Sequence, residues 1–329
     1  MKHRKLLMDG TMVSEIGLGC MSFSGFYGDT TENEAHETLA FCLDQGLNFL
    51  DTANIYGNGI SETIIGNYLK KTSAEFVIAT KGGISRNSKD GRRFDNRPEH
   101  LRSELEKSLK RLNLESVDLF YIHRRDLEVE IENVMETLLA FKAEGKIRGI
   151  GFSEISPTSL RRASAIGPVD AVQSEYSLWT RSPELGLIQA CKELGVSFIP
   201  FSPVGRGILT DTVPDIKAFR EQDIRKNNPR FQQPNFANNI RTVNVFRALA
   251  ADLNLPTATL ALAWVLDQAE HLMPIPGTRS AAHAAQFIQA SDVKMTSEIR
   301  DRINSVLPVG WAHGDRYSEN QWIGVERYA

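Results

Sequence analysis

Eight short runs of β-branched and aromatic residues recur along this chain, each parted from the next by a longer stretch with helical spacing, and that alternation admits few folds. The runs are Ile16–Cys20, Leu47–Leu50, Phe76–Ala79, Val117–Ile122, Ile147–Gly151, Ala171–Gln173, Ser197–Phe201 and Met273–Ile275. Between them apolar residues return about every 3.6 positions; in Ser103–Leu114 they are Leu105, Leu109, Leu112 and Leu114, set among Glu and Lys. Repeated βα units make a parallel sheet, and eight of them close into a (β/α)8 or TIM barrel of the α/β class. The 329 residues suit one such barrel, so residues 1–329 are expected to form a single domain.

Two segments fall outside the repeat. Lys5–Leu7 and Met12–Ser14 flank Met8-Asp9-Gly10-Thr11, an Asp-Gly turn that predicts a β-hairpin capping one end of the barrel. After the seventh strand, Pro203 to Ile240 is rich in Asn, Pro, Gln and charge and is expected to be a long loop, either a functional cover or a disordered segment. The competing architecture, an open doubly wound sheet, calls for GxGxxG after its first strand. Gly17-Leu18-Gly19-Cys20-Met21-Ser22 lacks the third glycine.

Composition narrows the partners. A net charge of −3 gives no general attraction to nucleic acid or anionic lipid, and no run approaches a membrane span. The opening MKHRKLLMDGTM is basic but lacks the apolar core of a secretory signal. Cys20, Cys42 and Cys191 lie far apart in no metal or disulfide pattern, so no metal is expected and the reducing cytoplasm is the expected compartment.

Reactive groups in a βα barrel sit at the C-terminal ends of strands. The second strand ends in Asp51-Thr52-Ala53-Asn54-Ile55-Tyr56-Gly57, the third in Thr80-Lys81-Gly82-Gly83 and the fourth in Tyr121-Ile122-His123. Singly, each residue has an ordinary reading: Asp51 as a loop cap, Lys81 as a strand-end charge, Tyr56 as packing, His123 as a structural imidazole. Together they describe a relay in which Asp51 holds Lys81, the ammonium favours the anion of Tyr56, and neutral His123 directs a carbonyl oxygen. The set contains no nucleophile, which points to a bound hydride carrier. Phe23, Phe26, Tyr27, Ile55, Arg92 and Trp179 are expected to wall an aromatic substrate pocket with some positive charge.

These motifs have a resemblance. DTANIYG, ATKGG, VDLFYIHRRD, GKIRGIGFSE, VQSEYSLWTR, IPFSPVGRGILT and PIPGTRS resemble those of the aldo-keto reductases across roughly residues 5–318, with the bacterial and plant branch nearest. The resemblance implies a catalytic tetrad of Asp51, Tyr56, Lys81 and His123, with Tyr56 as proton donor. It also implies NADP(H), with NAD(H) less favoured, and a small carbonyl or alcohol substrate. Ser153 and Gln173 match the holders of the nicotinamide carboxamide, and Phe201 stands where an aromatic stacks on the nicotinamide. Ser202, Pro203, Val204, Gly205, Arg206, Gly207 and Leu209 match the pyrophosphate loop. Gly19, Met21, Gly277, Thr278, Arg279, His283 and Gln286 complete the implied cofactor contacts. The chain departs from the family at Ala285-Gln286-Phe287, where Phe287 replaces the usual Asn contact to adenine. The family likeness extends to potassium-channel β subunits, so a nucleotide-binding regulatory module is the alternative function. A metal-dependent hydrolase is disfavoured, because the first strand carries no HxH.

Overall fold

The computed structural model describes residues 1–85, 93–221 and 223–328. A hairpin of β1 (His3–Lys5) and β2 (Met12–Ser14) leads into β3 (Leu18–Gly19), after which helices and strands take turns. The order is α1 (Glu32–Asp44), β4 (Phe49–Asp51), α2 (Ile60–Lys71), β5 (Val77–Gly82), α3 (Pro98–Leu112), β6 (Val117–Ile122), α4 (Ile131–Ala143), β7 (Ile147–Ser153), α5 (Pro157–Ile166), β8 (Ala171–Glu175), α6 (Leu187–Leu194) and β9 (Ser197–Phe201). Five helices follow: α7 (Asn235–Asp252), α8 (Thr257–Asp267), α9 (Ala281–Gln289), α10 (Ser297–Val306) and α11 (Glu319–Trp322). Local chemistry sets several boundaries. Thr31 and Glu34 form a reciprocal capping box at the start of α1, Pro98 opens α3, and Asn113 in the left-handed conformation closes it.

Strands β3 to β9 lie side by side in chain order, each parallel to the next, which rules out the reordered doubly wound sheet. Residues 272–277 close the gap between β9 and β3, giving a (β/α)8 TIM barrel. Met273 N and Ile275 N donate to Phe198 O and Pro200 O at 3.0 Å, and Gly17 N and Gly19 N donate to Pro274 O and Pro276 O at 3.0 Å. The expected eighth strand is therefore only bridged into the sheet, at Phe198–Leu272, Phe201–Ile275 and Gly19–Gly277. Pro274 and Pro276 have no N–H to return, so the edge facing β3 carries half a ladder.

The hairpin forms two residues earlier than predicted, with Lys5 opposite Met12. Leu6 N still donates to Thr11 O at 2.8 Å and Leu7 O accepts from Gly10 N at 3.1 Å, closing the turn, while both side chains enter the N-terminal mouth of the barrel and join Val13 against Phe49, Leu119 and Ile199. Burying each leucine side chain there is worth about 1.5–3 kcal/mol. Among its described residues, the long segment after β9 is irregular apart from short turns at Gly205–Gly207, Ile216–Ala218 and Pro229–Phe231. Its end differs from expectation: Asn235 to Asn239 start α7, because Phe236, Asn239 and Val243 share one buried face.

The period of two along each strand decides what reaches the site. Phe49, Ala79, Leu119, Tyr121, Ala171, Ile199 and Ile275 point inward and fill the barrel. On β7 the inward positions are glycines: a Cβ on Gly151 would stand 2.4 Å from the Tyr121 ring, so Gly151 leaves room for it. One step further along the same parity come Gly19, Asp51, Lys81, His123, Ser153, Gln173, Phe201 and Gly277. The barrel filling and the rim residues are thus one alternating pattern, and the register sets Gly19 beside Asp51 and Ser153 beside Gln173.

Candidate active site

At the floor of the rim Lys81 is fully buried and Asp51 is 2% exposed. Lys81 Nζ donates to Asp51 Oδ1 and, at 2.7 Å, to Thr52 O. Gln173 Nε2 donates to the other Asp51 oxygen at 2.8 Å. Above this pair stands Tyr56, with Lys81 Nζ 5.2 Å from its ring centroid. The His123 ring meets Tyr56 edge to face, centroids 5.8 Å apart. The four residues named from the strand ends therefore converge. One link differs from the relay: among the described residues the Tyr56 hydroxyl makes no hydrogen bond to Lys81, and the ammonium reaches it only through space.

Burial governs the electrostatics. It pushes the Asp51 carboxyl up and the Lys81 ammonium down, each opposed by the other's charge. It pushes the Tyr56 phenol well above its usual range; Asp51 adds to that rise and Arg124 opposes it. His123 is driven well below the ordinary imidazole range by burial, then by Arg124 and Lys81, so it is neutral at neutral pH. Among the described residues its buried Nδ1 has no hydrogen-bond partner, while the ring lines the cleft above.

That cleft measures about 1010 Å³ and runs across the barrel mouth. Gly19, Met21, Ser153, Gln173, Phe201, Ser202, Pro203, Val204, Arg206, Gly207, Gly277, Thr278, Arg279, His283 and Gln286 all line it. Gly205 and Leu209 do not; Leu209 is buried in the core, and the N–H groups of Gly205, Gly207 and Leu209 close the loop on itself. At the far end Arg279 Nη1 donates to Tyr27 O at 3.0 Å, and Ser280 leads α9 without a side-chain cap. A Cβ on Gly277 would come within 3.1 Å of Gly19 O, so this stretch of floor is bare backbone.

Of the expected substrate wall, Phe26, Tyr27 and Ile55 face the cleft. Phe23 is 1% exposed within the core, and Trp179 packs against Phe231 and Trp311 instead. Arg92 lies outside the described residues. Sequence reading passed over Arg124, Tyr317, Gln321 and Ile323, which also line the cleft. Arg124 was legible as the neighbour of His123; the tail residues were not, because nothing local ties them to the barrel mouth. They are brought there by ion pairs. Arg316 meets Glu154 at 2.5 Å, and Glu154, in the left-handed conformation just past β7, also accepts from Ser174 Oγ and Glu175 N.

A closed βα barrel with a polar constellation on its C-terminal rim and a cleft of about 1010 Å³ across that rim defines a class of barrel oxidoreductase. Residues 15–308 match the aldo/keto reductase family, and the chain belongs to it. It is 38% identical over 320 residues to a probable aldo-keto reductase 1 from Glycine max, covering 95% of this chain and 91% of that protein. An aldo-keto reductase yakc [NADP(+)] from Schizosaccharomyces pombe is 36% identical, covering 91% of each. Among solved structures, the glycerol dehydrogenase AKR11B4 from Gluconobacter oxydans superposes with a TM-score of 0.82 at 27% identity, over 94% of this chain and 95% of that one. The holo form of aldo-keto reductase AKR11C1 from Bacillus halodurans gives 0.75 at 25% identity, over 98% and 99%. Among the described residues no single helix is long and apolar enough to cross a membrane, and no group of three or more His, Cys, Asp or Glu is placed to hold a metal.

Proposed function

We propose that this protein is an NADP(H)-dependent carbonyl reductase, interconverting an aldehyde or ketone with its alcohol, with Tyr56 as proton donor. The observation that carries the reading is the convergence of Tyr56, His123 and the buried Lys81–Asp51 pair at the floor of one cleft. A relative named for NADP(+) supports the choice of nucleotide.

The donor set fits such a nucleotide. Arg279 and the uncapped start of α9 offer a guanidinium and free N–H groups to a phosphate. The bare floor at Gly19 and Gly277 admits a flat group, Ser153 and Gln173 offer amide partners, and Phe201 offers a ring face. When bound, NADPH supplies the hydride for the carbonyl carbon. Neutral His123 turns a ring N–H to the carbonyl oxygen and fixes its direction beside the phenol. Tyr56 gives its proton to that oxygen as negative charge develops there, leaving the alcohol. The high phenol pKa keeps the proton on Tyr56 until then, and Lys81 and Arg124 stabilise the phenolate left behind. Asp51 holds Lys81 in place.

Steady-state NADPH oxidation with a panel of aldehydes, ketones and sugars tests the activity. Tyr56→Phe is expected to keep nucleotide binding and lose at least about a hundredfold in kcat, the lower range for general acid catalysis. Near-normal turnover in that variant removes Tyr56 from the role. Silence of the parent across the whole panel refutes the reductase reading.

A further inference from the structure

The arginines around the cleft divide by whether a carboxylate already answers them. Arg206 pairs with Glu175 at 2.8 Å and Arg225 with Asp223 at 2.7 Å. Arg279 and Arg93 are not ion-paired among the described residues, but the first stands at the nucleotide end and the second is exposed on the outer edge, holding Asn320 O. Arg124 stands at the reacting end. Its Nη1 donates to His123 O at 2.7 Å and to Ser153 Oγ at 3.1 Å, which fixes the guanidinium against the rim on one side only.

The other side is open. Nε and Nη2 of Arg124 make no hydrogen bond among the described residues, and neither is sealed from the cleft that the residue lines. These two N–H groups lie parallel along one edge of the planar guanidinium, the edge that receives both oxygens of a carboxylate. Among the described residues no carboxylate is available to take it. Asp51 is held by Lys81 and Gln173, and Glu154 by Arg316, Ser174 and the Glu175 N–H. The charge on Arg124 acts on both Tyr56 and His123, so the open edge belongs to the same end of the cleft as the reacting groups.

We propose that Arg124 selects the substrate, and that the substrate class is a carbonyl compound bearing a carboxylate: an oxo acid or an aldehyde acid whose carbonyl oxygen lies at Tyr56 and His123 while its carboxylate lies on the Nε–Nη2 edge. The proposal rests on the carbonyl-reductase reading and adds a substrate class to it. Lysine cannot replace this edge, because an ammonium is a point donor without parallel N–H groups. The bond to Ser153 gives Arg124 a second consequence: with its oxygen occupied as acceptor, the Ser153 hydroxyl is left to donate toward the cleft.

The test compares acids with their neutral methyl esters, using glyoxylate, succinic semialdehyde and para-carboxybenzaldehyde to vary the distance from carbonyl to carboxylate. With NADPH, the parent is expected to favour at least one acid over its ester by about ten- to a hundredfold in kcat/KM, chiefly through KM, the worth of a charge-assisted pair of hydrogen bonds. In Arg124→Leu that ratio falls to about one, and Arg124→Lys recovers only part of it. An activity-independent arm follows succinate binding to the NADP+ complex by calorimetry, expected in the parent and lost in Arg124→Leu. The proposal is overturned if the parent reduces esters as well as acids, if the acid-to-ester ratio survives in Arg124→Leu, or if succinate fails to bind the parent or binds both proteins alike. Reduction of esters without acid preference leaves the reductase reading standing. Succinate binding that needs Arg124, in a protein that reduces no carbonyl, overturns the reductase reading and leaves Arg124 as an anion site.

Discussion

Lys81→Met removes one member of an almost fully buried ion pair, and its cost follows from what is left behind. In the parent the Asp51 carboxylate is held by Lys81 and by Gln173, with Lys81 further tied to Thr52 O. The methionine is of similar length and apolar, so the loss is less one of packing than of an uncompensated buried charge, which costs about 3–5 kcal/mol. At about 2.1 cal/mol/K of unfolding entropy per residue, a chain of 329 residues carries roughly 0.7 kcal/mol/K, so Tm is expected to fall by about 4–7 °C. Asp51→Asn added to Lys81→Met removes the stranded charge and should restore most of that fall. The pH dependence has a definite sign. Burial already raises the Asp51 carboxyl above its ordinary 3.8, and losing the ammonium raises it further. A raised folded pKa stabilises below the unfolded value and is lost as pH rises, so Lys81→Met should be closest to the parent near pH 4 and progressively weaker toward neutrality. Differential scanning calorimetry of the parent, both single variants and the double variant across that range is the assay. A double variant no more stable than Lys81→Met, or a deficit that shrinks as pH rises, refutes the reasoning.

Three further outcomes are expected. Arg279→Ala should weaken NADPH by about ten- to a hundredfold in Kd while changing NADH little, since only NADPH carries a 2′-phosphate for the guanidinium, and fluorescence quenching with both nucleotides checks it; equal weakening would place Arg279 against a group common to both, such as the pyrophosphate. Gly151→Ala puts a methyl 2.4 Å from the Tyr121 ring and should cost about 1–3 kcal/mol by overpacking, read as a lower Tm; an unchanged Tm would mean that the barrel filling is looser than the geometry states. Arg316 holds the Glu154 carboxyl down to about 2, so the stability this pair contributes is present above the ordinary value of 4.5 and is lost as pH falls toward 2. Arg316→Met should abolish that acid limb and lower Tm at neutral pH, and an acid limb unchanged in the variant would show that other groups produce it.

Much of the fold was legible because its determinants are local and periodic. Period-two runs gave the strands, period-3.6 stripes gave the helices, and Thr31, Pro98 and Asn113 marked helix ends by chemistry that acts within one turn. Where local chemistry competed with a distant surface, the distant surface won. Leu6 and Leu7 read as strand but plug the barrel, and Asn235 to Asn239 read as loop but start a helix, because in each case the apolar surface that receives them lies far away in sequence.

The site divides in the same way. Asp51, Lys81 and His123 were visible from sequence alone because the alternation that fills the barrel continues one step to the rim, and a strand's parity is a local property. Only the tertiary structure decided that Trp179 and Phe23 belong to the core, that Leu209 turns away from the cleft, and that Lys81 acts on Tyr56 through space instead of through a hydrogen bond. It alone brought Tyr317 and Ile323 to the mouth, through the Arg316–Glu154 pair, whose members are 162 residues apart. It alone left one edge of Arg124 open among the described residues, since whether a guanidinium is answered depends on the carboxylates that the fold brings near it. Sequence order sets which groups a strand end presents; desolvation and charge pairing between distant strands set what those groups can do.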